Sequence, residues 1–444
     1  MVADETDGVA RLIHAQRFSI VCREGTDPLP RAPAVMLALL GTIAGSVVSA
    51  QIVPGMPSLP GGGLSLPMAR GLPGALADTV ADPVRTTAQA LARVHDATIA
   101  RLVRDHPREI ARDPQGFPAR AGEVVIDAPD EAVLTAAAAR GYAVIARDEV
   151  LGVGFARLRV PDGRSLRAAI DELRGLGATT TADQLYLPSG VGTASVAPRA
   201  GRAPSGSGPL VGVIDGGVPG ATLAAGFAAG APRANDHAAA VASLIGGAPG
   251  VRAALPGARI ASADVYGDDP AGGNATAIAR AIGWLVQQKV SVATISLVGP
   301  ANPVLGRVIA AAQARGLIVV AAVGNAGPAA PPAYPASYPD VVAVTGVDGR
   351  NRPLIEAGRA THLDYAAPGA DMLAAKAAGG TIAVRGTSFA APLVAGTIAR
   401  AYPTLAPAAM QGALAAVDRT ARHAGPARQF GRGLLCGDCR TPAR

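Results

Sequence analysis

Gly386-Thr387-Ser388-Phe389-Ala390-Ala391-Pro392 is the stretch around which the rest of the chain is arranged. A serine stands between a Gly-Thr turn and a run of small residues that continues to Ala401. Gly386 permits a sharp backbone turn. Ser388 is therefore expected at or near a helix start, where free backbone N–H groups can face a developing oxyanion. The alanines let that helix pack closely in a core. Pro392 is tolerated early in a helix, because its missing N–H would have had no partner there.

A serine hydroxyl is a poor nucleophile at neutral pH and needs a base, itself held by a third group. Two upstream stretches offer those parts. Residues 210–214 are an apolar run that ends on Asp215, and Asp236-His237 opens a small-residue helix over 237–245. The order along the chain is Asp, His, Ser. These three stretches resemble the subtilisin-like serine peptidases (subtilases), which carry their triad in that order. A fourth stretch agrees: Val319-Val320-Ala321-Ala322-Val323-Gly324-Asn325-Ala326-Gly327 is similar to the family's strand that ends in its oxyanion-hole asparagine. The resemblance runs from 209 to 435, about half the chain. It implies catalytic roles for Asp215, His237, Ser388 and Asn325. It also implies that Ser296, Leu297, Val298 and Gly299 line the cleft and pair with substrate as an added strand. The proline-tyrosine loop 331–339, the Ala367-Pro368-Gly369 turn and the glycine-rich ending at 431–435 are further family-like segments.

The rest of the pattern fits. Apolar strands alternate with small-residue helices from 210 to about 435. That pattern predicts a mostly parallel, doubly wound α/β sheet, with Asp215 at the carboxyl end of its first strand. Helices are expected over 274–289, capped by Asn274, and over 302–315; Trp284 is expected in the core, and His362 on the surface rather than as a rival base. Hydrophobic residues make up 49% of the 444, but aromatics only 3%, so small, closely packed elements must build the interior. The net charge of +7 is scattered and lacks interleaved aromatics, which argues against nucleic-acid recognition. No cofactor is required by the motifs, and calcium, though compatible with the family, has no ligand pattern here. Cys436-Gly-Asp-Cys439 reads as a terminal disulfide, a redox pair or half a metal site; no second C-x-x-C or histidine cluster completes a metal site, so none is assigned.

Upstream, residues 1–50 form an extension with an uncharged apolar run at 34–50, preceded by Arg23 and Arg31 and ending in Val48-Ser49-Ala50. That is the shape of a signal peptide over 32–50, which implies a secreted or periplasmic protein; a retained segment would instead anchor it to a membrane. Residues 51–121 read as a Pro/Gly-rich linker and a helix within 75–112. Residues 122–188 follow the order strand (123–126), helix (130–140), strand (143–147), strand (153–160), helix (165–176), strand (184–187), a small α+β ferredoxin-like domain. In subtilase precursors an inhibitory propeptide of that topology stands in this position, which would make it an intramolecular inhibitor beside the protein or peptide substrate. Residues 189–208, rich in Gly, Ser, Pro and Ala, read as a flexible linker and the place for cleavage. A catalytic domain at 209–435 and a tail at 436–444 complete the chain.

Several positions depart from the family pattern. Gly216 stands where a hydroxyl residue usually supports the aspartate, Ala238-Ala239 follow the histidine in place of Gly-Thr, and Val298 replaces a glycine of the substrate-pairing segment. Three rival readings remain open. One is a pseudopeptidase that only binds. Another is an esterase using Ser388, Asp418 and His423, although the second glycine of G-x-S-x-G is missing. The third is a nucleotide site at 211–220, although its glycines do not form G-x-G-x-x-G.

Overall fold

The computed structural model describes residues 83–189, 191–196 and 206–443, with side chains from residue 90 and outside 191–196. The signal-like segment and the Pro/Gly-rich stretch lie outside the described residues. The described chain opens with helix α1 (Pro83–Asp105) and strand β1 (Ile110–Arg112). There follow β2 (Pro118–Asp127), α2 (Glu131–Ala138), β3 (Ala143–Val150), β4 (Val153–Arg159), α3 (Leu166–Gly175) and β5 (Thr179–Gln184). Strands pair antiparallel in the order β5-β2-β4-β3, with β1 on the first half of β2, which is the ferredoxin-like arrangement. Asp130 and Ser165 cap the two helices by accepting from Val133 N and Ala168 N.

The last strand lies upstream of the 184–187 expected from sequence. Five of the six residues of β5 are buried, so the alternation that marks a strand in sequence is lost. One face of the sheet packs on α2 and α3 through Val124, Ile126, Leu158, Ile170 and Leu173. The other face gives Val125, Val150, Val153 and Phe155 to the core of the second domain. The two domains thus share one apolar cluster. The approach is close: a Cβ on Gly283 would stand 2.6 Å from Val150 Cγ1.

The second domain continues with β6 (Leu187–Pro188), β7 (Val191–Val196), β8 (Leu210–Asp215), β9 (Leu223–Gly226), α4 (Asp236–Gly246), β10 (Arg259–Asp264), α5 (Ala275–Gln287), β11 (Val292–Ile295), β12 (Leu297–Val298), α6 (Pro303–Gln313), β13 (Ile318–Ala322), β14 (Val342–Val347), β15 (Tyr365–Pro368), β16 (Met372–Ala375), β17 (Thr381–Arg385), α7 (Ala391–Ala401), α8 (Met410–Asp418) and α9 (Ala427–Phe430). Seven strands run parallel in the order β15-β14-β13-β11-β8-β10-β9. Asn274 and Asn302 cap α5 and α6. Helices α4 and α7 cover one face, where Leu244, Leu393, Val394 and Ile398 are fully buried, each contributing about 1.5–3 kcal/mol. Helices α5 and α6 cover the other. The chain leaves β8 toward β10 and returns on its far side at β11. The sheet therefore reverses between β8 and β11, the place where open α/β sheets form a crevice beyond their carboxyl ends. Asp215 and Ser296 stand at those two ends.

Two stretches depart from the free linker expected over 189–208. Residues 191–196 form β7, paired antiparallel with β17, and Ser189 is buried in the crevice. Trp284 is only partly buried, tilted against Phe227 at 6.1 Å.

Candidate active site

Asp215 is 1% exposed at the end of β8. Its Oδ2 lies 2.8 Å from His237 Nδ1, and its Oδ1 accepts from Gly216 N at 2.8 Å. His237 is fixed from below because Asn235 caps α4, accepting from His237 N at 2.8 Å and Ala238 N at 3.1 Å. Asn235 also accounts for Gly216: a Cβ there would meet Asn235 Cβ at 2.5 Å. The hydroxyl expected from the family has no room, and a backbone N–H serves the carboxylate in its place. Ala238 is fully buried in the first turn of α4. His237 Nε2 is buried and has no hydrogen-bond partner.

Ser388 sits in a 3₁₀ turn (Thr387–Phe389) just ahead of α7, so its N–H is one of the unpaired donors of a helix start. Gly386, at φ 140°, makes the turn. Asn325 follows β13, and its amide is oriented by Thr387, whose N and Oγ donate to Asn325 Oδ1 at 3.0 and 3.1 Å. That leaves Asn325 Nδ2 to point outward, where it donates to the carbonyl oxygen of Ser189. Ser388 N donates to the same oxygen at 3.3 Å. One backbone carbonyl is thus held by two donors that converge beside a serine hydroxyl. Ser388 Oγ donates to the carbonyl of Ser296 at 3.0 Å and lies 2.6 Å from Ser189 Oγ.

The segment ending in Ser189 lies along the crevice as a strand. Leu187 and Pro188 pair antiparallel with Val298 and Leu297, and Ser189 N donates to Ser296 O at 3.3 Å. Tyr186 is held on the opposite side, its N donating to Gly273 O at 2.8 Å and its carbonyl accepting from Tyr266 Oη at 2.6 Å. Its ring is fully buried over Gly299, and its hydroxyl donates to Pro300 O at 2.7 Å. Burial pushes the Tyr186 and Tyr266 hydroxyls well above the usual phenol range, and that of neighbouring Tyr338 up to about 12. They are neutral donors at any working pH.

Asp215, His237, Ser388, Asn325 and the segment 296–299 thus converge on one crevice. Sequence reasoning missed Thr387, Asn235, Tyr186 and Ser189; the cap signature at Asn235-Asp236 was the signal open to it. The esterase set is not assembled: Asp418 accepts from Tyr365 and Arg432, and His423 is exposed. His362 Nε2 donates to Val341 O, 2.8 Å away, and faces Asp364. Cys436 and Cys439 form a disulfide. Among the described residues no three His, Cys, Asp or Glu side chains gather to hold a metal ion.

The sequence pattern of the Subtilase family matches residues 206–433, just over half the chain. The chain belongs to the subtilase family. It is 32% identical over 170 residues to Subtilisin DY of Bacillus licheniformis, covering 37% of this chain and 61% of that protein. It is 30% identical over 206 residues to the subtilisin of Bacillus pumilus, covering 45% of this chain and 74% of that one. This subtilase therefore spans less than two thirds of the length of Subtilisin DY. Among solved structures it superposes on fervidolysin from Fervidobacterium pennivorans, a keratinolytic enzyme related to subtilisin. The TM-score is 0.57 at 18% identity, covering 72% of this chain and 61% of that one. The epidermin leader peptide processing serine protease of Staphylococcus aureus gives 0.56 at 15% identity, covering 72% and 97%. Both likenesses concern the fold.

Proposed function

We propose that this subtilase is a serine endopeptidase of Asp-His-Ser type, made as a precursor that residues 122–188 hold inhibited. The observation that carries the reading is the grip on Ser189, whose carbonyl oxygen takes donors from both Asn325 and Ser388 N while Asp215 holds His237 alongside. A substrate carbonyl held in that way would be poised for attack. Ser388 Oγ turns from Ser296 O to His237 Nε2, gives up its proton there and bonds the carbonyl carbon. Asp215 keeps the imidazole in the tautomer that accepts this proton and stabilises the imidazolium. The oxyanion gathers on Asn325 Nδ2 and Ser388 N. His237 then protonates the leaving amine, and a water activated by the same histidine releases the acyl group as a carboxylate.

The substrate is a protein or peptide lying as a strand along 297–298; nothing in the site favours nucleic acid. The apolar segment 34–50 supports export, to the periplasm or outside, and membrane attachment only if it is retained. A second reading, a pseudopeptidase that binds peptides, has one observation in its favour: His237 Nε2 has no hydrogen bond to Ser388. A fluorophosphonate probe separates the two. The wild type is expected to be labelled and Ser388→Ala unlabelled, with self-cleavage of the purified chain, read by intact mass, lost in the variant. An unlabelled, uncut wild type sinks the peptidase reading.

A further inference from the structure

The segment that fills the crevice ends on a small residue, and the wall beside it explains the size. Gly324, next to the Asn325 that holds the Ser189 carbonyl, and Val298, paired with Leu187, face one another beside this segment. A Cβ built on Gly324 would stand 3.4 Å from Val298 Cγ1 and 3.6 Å from Cγ2, with Ala333 Cβ at 3.8 Å. Adding one C–C bond of about 1.5 Å, the two walls are at most about 5 Å apart. A side chain inserted between them needs carbon contact on both sides, about 7 Å from wall to wall. No side-chain carbon enters between them without moving Val298, so the residue beside this wall has room for little beyond its own Cβ. Ser189 matches this limit: it is small, and its hydroxyl is engaged by Ser388 Oγ and Ser296 O, the latter at 3.4 Å.

We propose that Val298 makes this crevice select a serine- or alanine-sized residue before the cut bond, and that the first such bond is the one on the carboxyl side of Ser189. The inference rests on the peptidase reading above and adds to it a substrate class and a processing position. In the step itself, Ser388 Oγ bonds the Ser189 carbonyl carbon. The proton of Ser388 passes through His237 to the amine of residue 190, and the C–N bond breaks. Water then converts the Ser388 ester to a free Ser189 carboxylate. The phenol of Tyr186, three residues upstream and bonded to Pro300 O, fixes the register, so that Ser189 and neither neighbour meets Asn325.

The test is self-processing of the full chain, followed by intact mass and amino-terminal sequencing, in the wild type, Ser189→Ala, Ser189→Phe and the double variant Ser189→Phe/Val298→Gly. The wild type is expected to yield a new amino terminus at Gly190. Ser189→Ala should do so at a similar rate. Ser189→Phe should slow the cut by about tenfold to a hundredfold, and Val298→Gly should restore most of that loss, which a mere folding defect would not allow. A cut mapped to another bond, or Ser189→Phe processed at the wild-type rate, overturns the proposal. If fluorophosphonate still labels Ser388 in that case, the peptidase reading survives alone. If nothing is labelled or cut, both fall.

Discussion

The two halves of the crevice are in different states. On one side Asp215 and His237 form a buried, bonded pair whose outer nitrogen has no partner. On the other, Asn325, Thr387 and Ser388 N are all engaged, and their free donors close on the chain's own Ser189. On the proposed reading, the half that binds is full, and the half that moves protons waits. Only Ser388 Oγ separates them, bonded to Ser296 O instead of His237. On the peptidase reading proposed above, going from this state to reaction takes a turn of Ser388 Oγ from Ser296 O toward His237, with the Ser189 carbonyl already held by its two donors.

The largest effect is expected of Asn325→Ala. If the asparagine serves the reaction, the variant loses about 10²–10³ in kcat for processing. Fluorophosphonate labelling should also slow, since the tetrahedral phosphorus places its oxygen in the same spot. A variant that processes normally but releases the first domain sooner would make Asn325 a docking residue only, and the two halves would no longer belong to one mechanism.

Gly216→Ser probes the other half and sets sequence against structure. By family resemblance a hydroxyl here supports the aspartate, so the change ought to help. The space for its Cβ is taken by Asn235, 2.5 Å away, and Asn235 is also the cap that holds the first turn of α4 under His237. Forcing the cap aside is expected to cost about 1–3 kcal/mol of stability and to lower the rate, read from thermal unfolding and labelling. Adding Asn235→Gly should recover the packing part of that loss. A Gly216→Ser variant as stable as wild type would mean that the cap shifts freely.

These positions also mark how far sequence reading reached. The four stretches that the fold brings together at Asp215, His237, Asn325 and Ser388 were legible because each ends or begins an element with a marked apolar run, and because they occur in a family order. The parallel sheet was legible for the same reason. The Gly216–Asn235 exchange was not, since the two residues lie nineteen positions apart and only the fold brings them together. Residues 184–189 misled in a different way. Residues 184–187 were expected as the last strand of the first domain, yet Leu187 and Pro188 pair with Val298 and Leu297 of the second. A strand completed by another domain has no local signal that says which sheet it joins. The true last strand, β5, hid its periodicity because both its faces are covered.

The smallest expected effect concerns what keeps the binding half full. Asp183, at the end of β5, is fully buried between the domains and accepts from Thr276 N at 3.0 Å and Thr276 Oγ at 2.7 Å, at the start of α5. Burial nonetheless pushes its carboxyl above the usual range, against those hydrogen bonds and the charges of Arg120 and Arg157. Glu123, in the same interface, is raised by burial too. A carboxyl whose pKa is raised by docking holds its proton more tightly in the docked state. Docking is therefore favoured most below the ordinary carboxylate pKa. It weakens as pH climbs through the raised value, and is flat above it. Hydrogen exchange at the first turn of α5, followed from acid to neutral pH, should show opening become several-fold easier. Asp183→Asn, which keeps one of the two acceptor oxygens but cannot ionise, should flatten most of that slope and leave the share of Glu123. An unchanged slope would move the switch to Glu123. A slope of opposite sign would mean that the Thr276 hydrogen bonds and the arginines outweigh desolvation, in which case the first domain would grip the crevice more firmly as the pH rises.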